Sequence, residues 1–228
     1  MYTGPHIITD GLVLSLDAGN TKSYPGSGTA WTDKSGFGNN GTLTNTPGFS
    51  SANGGTLVFD GVNDYVDCGN PSSLNFGTGD FTVSVWVKRF DSSTTNLRLL
   101  SKGSEDNSSG QSGFTLFGGN TEIGFSVNPS GTRTIITAAT YSIGEWFNVV
   151  GVLERSTNIR AYKNANLTTS TTAPIGSITG TSNLFIGRST SALLPWIGNI
   201  SNVQIYNRAL TSQEIQQNYS STKTRYGL

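Results

Sequence analysis

The five glutamates of this chain, Glu105, Glu122, Glu145, Glu154 and Glu214, are scattered along 228 residues. Glycoside hydrolysis needs two carboxyl groups facing one bond, one as acid and one as nucleophile or base. On a strand that means alternate positions, whose side chains point into one cleft. No Glu-x-Asp-x-Glu-like run exists, and the adjacent Glu105 and Asp106 would face opposite sides of a strand. A nucleophilic triad fares no better. The only histidine, His6, lies in an N-terminal arm, and the only cysteine, Cys68, follows a strand-like run in which an unpaired thiol acts as a small buried hydrophobe. One His and one Cys also make no zinc set. The expectation is a protein that binds and packs and is not an enzyme.

Hard-cation chemistry is better represented. The stretch Asp33 to Gly41 brings a carboxylate, amide side chains and glycine-freed carbonyls together, an oxygen-rich setting suited to calcium, with Asp33 and Asn39 as candidate ligands. The same residue types also suit a turn, with Asp33, Ser35 and Asn39 bonding the loop backbone and no ion needed. Asp60, between Phe59 and Gly61, poses the same choice: a metal or sugar ligand, or a turn carboxylate accepting backbone amides. Among the aromatics, Trp31, Trp86, Tyr141 and Trp196 are candidates for stacking on sugar rings, against the alternative that they fill a core.

The elements that must position these residues read as strands. Phe81, Val83, Val85 and Val87 alternate with Thr82, Ser84, Trp86 and Lys88, so the first set should face the core. Glu145 to Leu153 is apolar on both faces and reads as a central strand. Further strand-like runs are Leu12–Leu16, Thr56–Asp60, Tyr65–Cys68, Leu97–Ser101, Phe114–Phe117, Glu122–Val127, Thr134–Ala138, Ile159–Lys163, Leu184–Gly187 and Ile200–Tyr206, separated by Gly, Asn and Ser clusters. Thr211 to Glu214 is a capping box with Leu210 and Ile215 placed as a staple, which predicts a short helix from about Ser212 to Tyr219. The expectation is one all-β antiparallel sandwich over residues 1–228, with flanking arms at about 1–10 and 220–228 that are dispensable for folding. Lys plus Arg equals Asp plus Glu at 14 each, which gives no electrostatic reason for a nucleic-acid or membrane partner. The first ten residues lack a secretory pattern and no segment is long and apolar enough to span a bilayer, so a soluble chain is expected.

Leu12–Asp17, Asp33–Gly41 and Leu57–Val66, followed by Phe81–Val87, Gly144-Glu145-Trp146, Arg160-Ala161-Tyr162 and Tyr206–Thr211, resemble in order the laminin-G-like, concanavalin A-like jelly-roll domains. The resemblance implies a two-sheet jelly roll and, in the Asp33 loop, a calcium site. Relatives complete that site with an aspartate in the last strand, where this chain has Ser201. Met1–Pro5 and Arg225–Leu228 resemble a subgroup found in tailed phages. That resemblance implies a virion protein decorating a capsid or associated with a tail, its partners phage capsid or tail proteins. The alternative is a lectin-like adhesin that binds a host surface glycan.

Overall fold

The computed structural model describes residues 5–91, 97–103, 112–119, 122–129, 133–155, 157–190 and 194–228. Glu105 and Asp106 lie outside them. The described chain forms β1 (Leu12–Asp17), β2 (Ala30–Trp31), β3 (Gly41–Thr44), β4 (Gly48–Ser50), β5 (Thr56–Asp60), β6 (Tyr65–Asp67), β7 (Phe81–Arg89) and β8 (Leu97–Lys102). It continues with β9 (Gly113–Gly118), β10 (Glu122–Asn128), β11 (Thr134–Thr140), β12 (Trp146–Glu154), β13 (Asn158–Lys163), β14 (Asn166–Thr172), β15 (Leu184–Ile186) and β16 (Ile197–Tyr206). Helix α1 (Ser212–Thr222) and a 3-10 turn, Lys223–Tyr226, close it. One sheet runs β14-β13-β12-β7-β16-β5-β4, with β1 also paired to β16; the other runs β11-β10-β9-β8-β15-β6-β3-β2. All pairings are antiparallel. This is the expected all-β jelly-roll sandwich with one short C-terminal helix.

Alternation explains the layers. Phe81, Val83, Val85 and Val87 of β7 enter the inter-sheet core together with Val203 and Ile205 of β16 and Phe147 and Val149 of β12. Burying such a side chain contributes about 1.5–3 kcal/mol. Gly151 lies opposite Phe125, where a Cβ would come within 2.4 Å of the ring, so the position needs glycine for close approach of the sheets. Cys68 is buried, as its place after a strand suggests, and burial pushes its thiol above the ordinary value.

The ends depart from expectation. Residues 5–10 and 220–228 are not loose arms, because each is docked on the outer face of the β7-containing sheet. The helix runs one turn past Tyr219, to Thr222. Tyr226 then stacks on Trp86 at 4.0 Å between ring centroids and tilts against Trp146 at 4.8 Å. Arg225 donates to Asp17 Oδ1 at 2.6 Å, Ser201 Oγ at 2.6 Å, and the carbonyls of Asn53 and Gly55 at 2.5 Å each. Gly55 can present that carbonyl because its φ is +122°, and a Cβ there would meet the Ala18 carbonyl at 2.4 Å. At the other end, Ile8 N–H donates to Asn218 Oδ1 and the Tyr206 hydroxyl donates to the Ile8 carbonyl. The helix start is as expected: Thr211 Oγ1 accepts from Glu214 N–H, and a Glu214 carboxylate oxygen accepts from Thr211 N–H. Arg208, bonded to that carboxylate, holds it down at about 2.

Candidate functional site

The aromatic candidates do not assemble a sugar platform. Trp31 and Trp196 are 0% exposed within the inter-sheet core, and neither presents a ring face to solvent. Tyr141 is buried as well: its hydroxyl accepts from Arg89 Nη1 and donates to the Gly119 carbonyl at 2.7 Å, which makes it a strut. These rings fill the core because a sandwich of this size needs bulk between its sheets.

The Asp33 loop takes its turn alternative. Asp33 Oδ1 accepts from Ser15 N–H and Ser35 N–H at 2.8 Å each, and Oδ2 accepts from Ser35 Oγ at 2.7 Å and Asn39 N–H at 2.9 Å. Four donors occupy the carboxylate, leaving it poorly placed to ligate calcium. Asn39 is likewise engaged, donating to the Val13 carbonyl and to Ser73 Oγ. Asp60 is exposed, and its Oδ1 accepts from Val62 and Asn63 N–H as a turn carboxylate. Among the described residues no cluster of three or more His, Cys, Asp or Glu is placed to hold a metal. Ser201 accepts from Arg225 and donates to the Gly55 carbonyl.

What the Asp33 loop does instead is build the rim of a cleft. Ser15 N–H bonds Asp33 and Lys34 N–H bonds the Ser15 carbonyl at 2.8 Å, so the loop pairs along the free edge of β1. On the outer face of the sheet, Ser15 pairs across to Gln204 and Asp17 to Asn202, while Leu14, Leu16, Val203 and Ile205 face the core. A register shift in β16 between Ile200 and Asn202 lets Ser201 turn to Arg225 while Asn202 remains outward. These two cross-strand pairs floor a cavity of about 220 Å³. Lys34 and Asn20 stand on its rim, and Ile7 and Leu12 supply an apolar side.

The floor is both buried and unspent. Ser15, Asn202 and Gln204 are 7%, 6% and 4% exposed. Gln204 Oε1 lies 3.4 Å from the Tyr206 hydroxyl, whose proton goes to the nearer Ile8 carbonyl. Among the described residues the Ser15 hydroxyl, the Asn202 amide and the Gln204 –NH₂ have no other side-chain hydrogen-bond partner. The residues are largely buried but their polar atoms reach the cavity, and three that open together into it are available to a ligand. Asp17 adds a carboxylate whose Oδ1 is held by Gly19 N–H and Arg225. None of these groups was singled out from sequence. The signal was Asn202 and Gln204 alternating with Val203 and Ile205 in a strand whose neighbours are apolar.

Residues 60–216 match the model of a family described as the concanavalin A-like lectin/glucanases superfamily. Solved structures with the same fold include the binding domain of Paraclostridial Mosquitocidal Protein 1, at 16% identity and a TM-score of 0.74 over 93% of this chain and 52% of that one. Another is a botulinum neurotoxin type C structure, of a toxin that enters cells through interaction with two ganglioside molecules, at 13% identity and 0.71 over 94% and 52%. A third is a mutant of Trypanosoma rangeli sialidase displaying trans-sialidase activity, at 19% identity and 0.69 over 97% and 35%. The chain thus spans about half the length of the toxin structures it matches. No curated protein matches it in sequence.

Proposed function

The chain belongs to the concanavalin A-like lectin/glucanases superfamily, and from that premise we propose that it is a non-catalytic, lectin-like module that binds a neutral sugar in the β1/β16 cleft. The observation that carries this reading is the set of buried, unspent polar side chains, Ser15, Asn202 and Gln204, on the cleft floor. Their amides donate, Asp17 and Ser15 accept, and the apolar side at Ile7 and Leu12 suits the C–H face of a pyranose. A volume of about 220 Å³ is below that of a drug-sized pocket, roughly 300–1,000 Å³, which matches one terminal sugar ring. A contact with one ring is small, so useful attachment rests on several copies or several sugars. A botulinum neurotoxin type C structure of the same fold, of a toxin that interacts with gangliosides, supports a glycan as the broad ligand class.

The non-catalytic part is supported by three of the five glutamates being held in ion pairs. Glu145 pairs with Lys163, Glu154 with Arg160, and Glu214 with Arg208. The finer reading, a module carried on a phage particle, rests on the resemblance of the two ends of the sequence. With residues 5–10 and 220–228 docked on the sandwich, attachment through the sandwich surface is the version we propose, and cryo-electron microscopy of particles would locate it.

The sugar site is tested by NMR titration with a panel of neutral monosaccharides against wild type and the double variant Asn202→Ala, Gln204→Ala. A loss of at least tenfold in affinity with an unchanged melting temperature is expected. Undiminished binding by the variant would move the site elsewhere, and reducing ends released from polysaccharide by purified protein would overturn the non-catalytic reading.

A further inference from the structure

The outer face of the opposite sheet carries a different kind of site. Across it the register places Phe185 of β15 beside Asp67 of β6 and Ser101 of β8, and Ser101 beside Thr115 of β9. Tyr65, two residues from Asp67, shares that face. Tyr65 and Phe185 meet edge to face, 5.7 Å apart at 82°. Over both lies Arg188, its guanidinium carbon 4.1 Å from the Tyr65 ring centroid and 4.5 Å from that of Phe185. All three side chains are half-buried.

The guanidinium is fixed as well as stacked. Ser101 Oγ donates to the Arg188 carbonyl at 3.1 Å, and Arg188 Nε donates to the Ser189 carbonyl at 3.1 Å. Other arginines spend their forks within the protein: Arg160 on Glu154, Arg208 on Glu214 and Asp10, Arg225 on Asp17, and Arg155 on the carbonyls of Gly77, Gly79 and Pro174. For Arg188, the described residues provide no acceptor for either Nη nitrogen. The nearest carboxylate on that face, Asp67, is taken up by Asn183 Nδ2 and Gly69 N–H. Two ring faces therefore hold a planar fork with its bidentate end unspent. Phe117 of β9, flanked by Arg98 at 5.7 Å and Arg133 at 5.8 Å, continues the alternation of rings and guanidinium groups along the sheet.

We infer that Arg188, held on Tyr65 and Phe185, is a recognition site for a carboxylate-bearing saccharide. The guanidinium fork matches a carboxylate through two parallel N–H···O bonds, and it is already ordered by its stacking, so little side-chain freedom is lost on binding. The exposed parts of the two rings give the sugar's C–H groups an apolar surface beside the charge. This site goes beyond the neutral-sugar cleft and lies on the other outer face of the sandwich.

The experiment is a titration of the full chain with sialyllactose, with a glucuronate-containing disaccharide, with lactose and with inorganic sulfate. Calorimetry gives affinity, and NMR follows the Arg188 Nε–H and the Tyr65 and Phe185 ring signals. The two acidic saccharides should shift those signals and bind at least tenfold more tightly than lactose. Arg188→Ala should remove that preference. Arg188→Lys, which keeps the charge and loses the fork, should lower affinity about fivefold or more, and so reports on the site even if the alanine variant is unstable. Asn202→Ala with Gln204→Ala should leave acidic-saccharide binding unchanged, which separates this site from the cleft. The inference is overturned if folded Arg188→Lys and Arg188→Ala bind sialyllactose as wild type does, if lactose shifts the Arg188, Tyr65 and Phe185 signals with equal affinity, or if sulfate alone binds as tightly as the saccharides.

Discussion

At the scale of single residues, the informative ones are polar groups inside the fold. Lys102 is 2% exposed, with Nζ donating to Asn70 Oδ1 and the Ser182 carbonyl and, among the described residues, no carboxylate paired with it. Desolvation lowers its pKa from 10.5 to about 8. Since the unfolded chain then binds the extra proton between these values, stability should rise with pH from about 8 to 10.5 and carry the full desolvation cost below 8. Lys102→Met should raise the melting temperature at pH 7 and abolish that rise. A flat wild-type profile between pH 8 and 10 would refute the assignment. Asp33→Ala should cost about 2–4 kcal/mol, because it leaves the Ser15 and Asn39 amides unpaired in a buried loop. If calcium raised the wild-type melting temperature and Asp33→Ala removed that rise, the loop would be a metal site after all. Asp33 and Asn39 were legible as residues that organise a loop, whereas ion or turn was undecidable from their types. For Trp31 and Trp196 the fold takes the core alternative; their types alone left platform or core open, because exposure is a property of packing.

Elements show where legibility came from and where it stopped. The β7 and β12 patterns were plain because alternation records burial directly, and both strands occupy the centre of the sheet. The strand β14, Asn166–Thr172, was invisible: it is an edge strand whose residues are almost all exposed, so no apolar period marks it. The C-terminal segment escaped for another reason. Its contacts are to residues far away in sequence, so Lys223, Arg225 and Tyr226 read locally as a polar tail, while Trp86 and Trp146 across the sheet supply the aromatic partners. Tyr226→Ala should therefore destabilise by about 3–5 kcal/mol, as expected for loss of a buried aromatic, whereas Thr211→Ala should cost only about 1 kcal/mol through the helix cap. Denaturant unfolding would compare the two. A Tyr226→Ala loss no greater than that of Thr211→Ala would mean the segment is a dispensable arm.

For the whole molecule, the two proposed sites occupy opposite outer faces of one sandwich, with sheets packed about 10 Å apart between them. The cleft is built from β1, β16 and the Asp33 loop, and the Arg188 site from β6 and β15 with the residues just after it, so no residue belongs to both. Coupling between two sites requires an element with two arrangements that both ligands bias. Here the intervening layer is a continuous core of fully buried side chains such as Val85, Phe147, Val203 and Leu116, which offers no such alternative. The sites should therefore bind independently: saturating the cleft with a neutral sugar should change the affinity for sialyllactose by less than about twofold, since a 1.4 kcal/mol coupling would already give tenfold. On a surface that displays both sugars the same geometry predicts avidity, because one rigid module can engage ligands on two sides and the second contact becomes intramolecular or cross-linking. Calorimetry with and without the neutral sugar tests the first statement. Cross-linking of vesicles that carry both glycans tests the second, and it should be lost in Arg188→Ala and in the Asn202→Ala, Gln204→Ala variant alike. Cross-linking that survives in either variant would show that one face suffices and that the other is only surface.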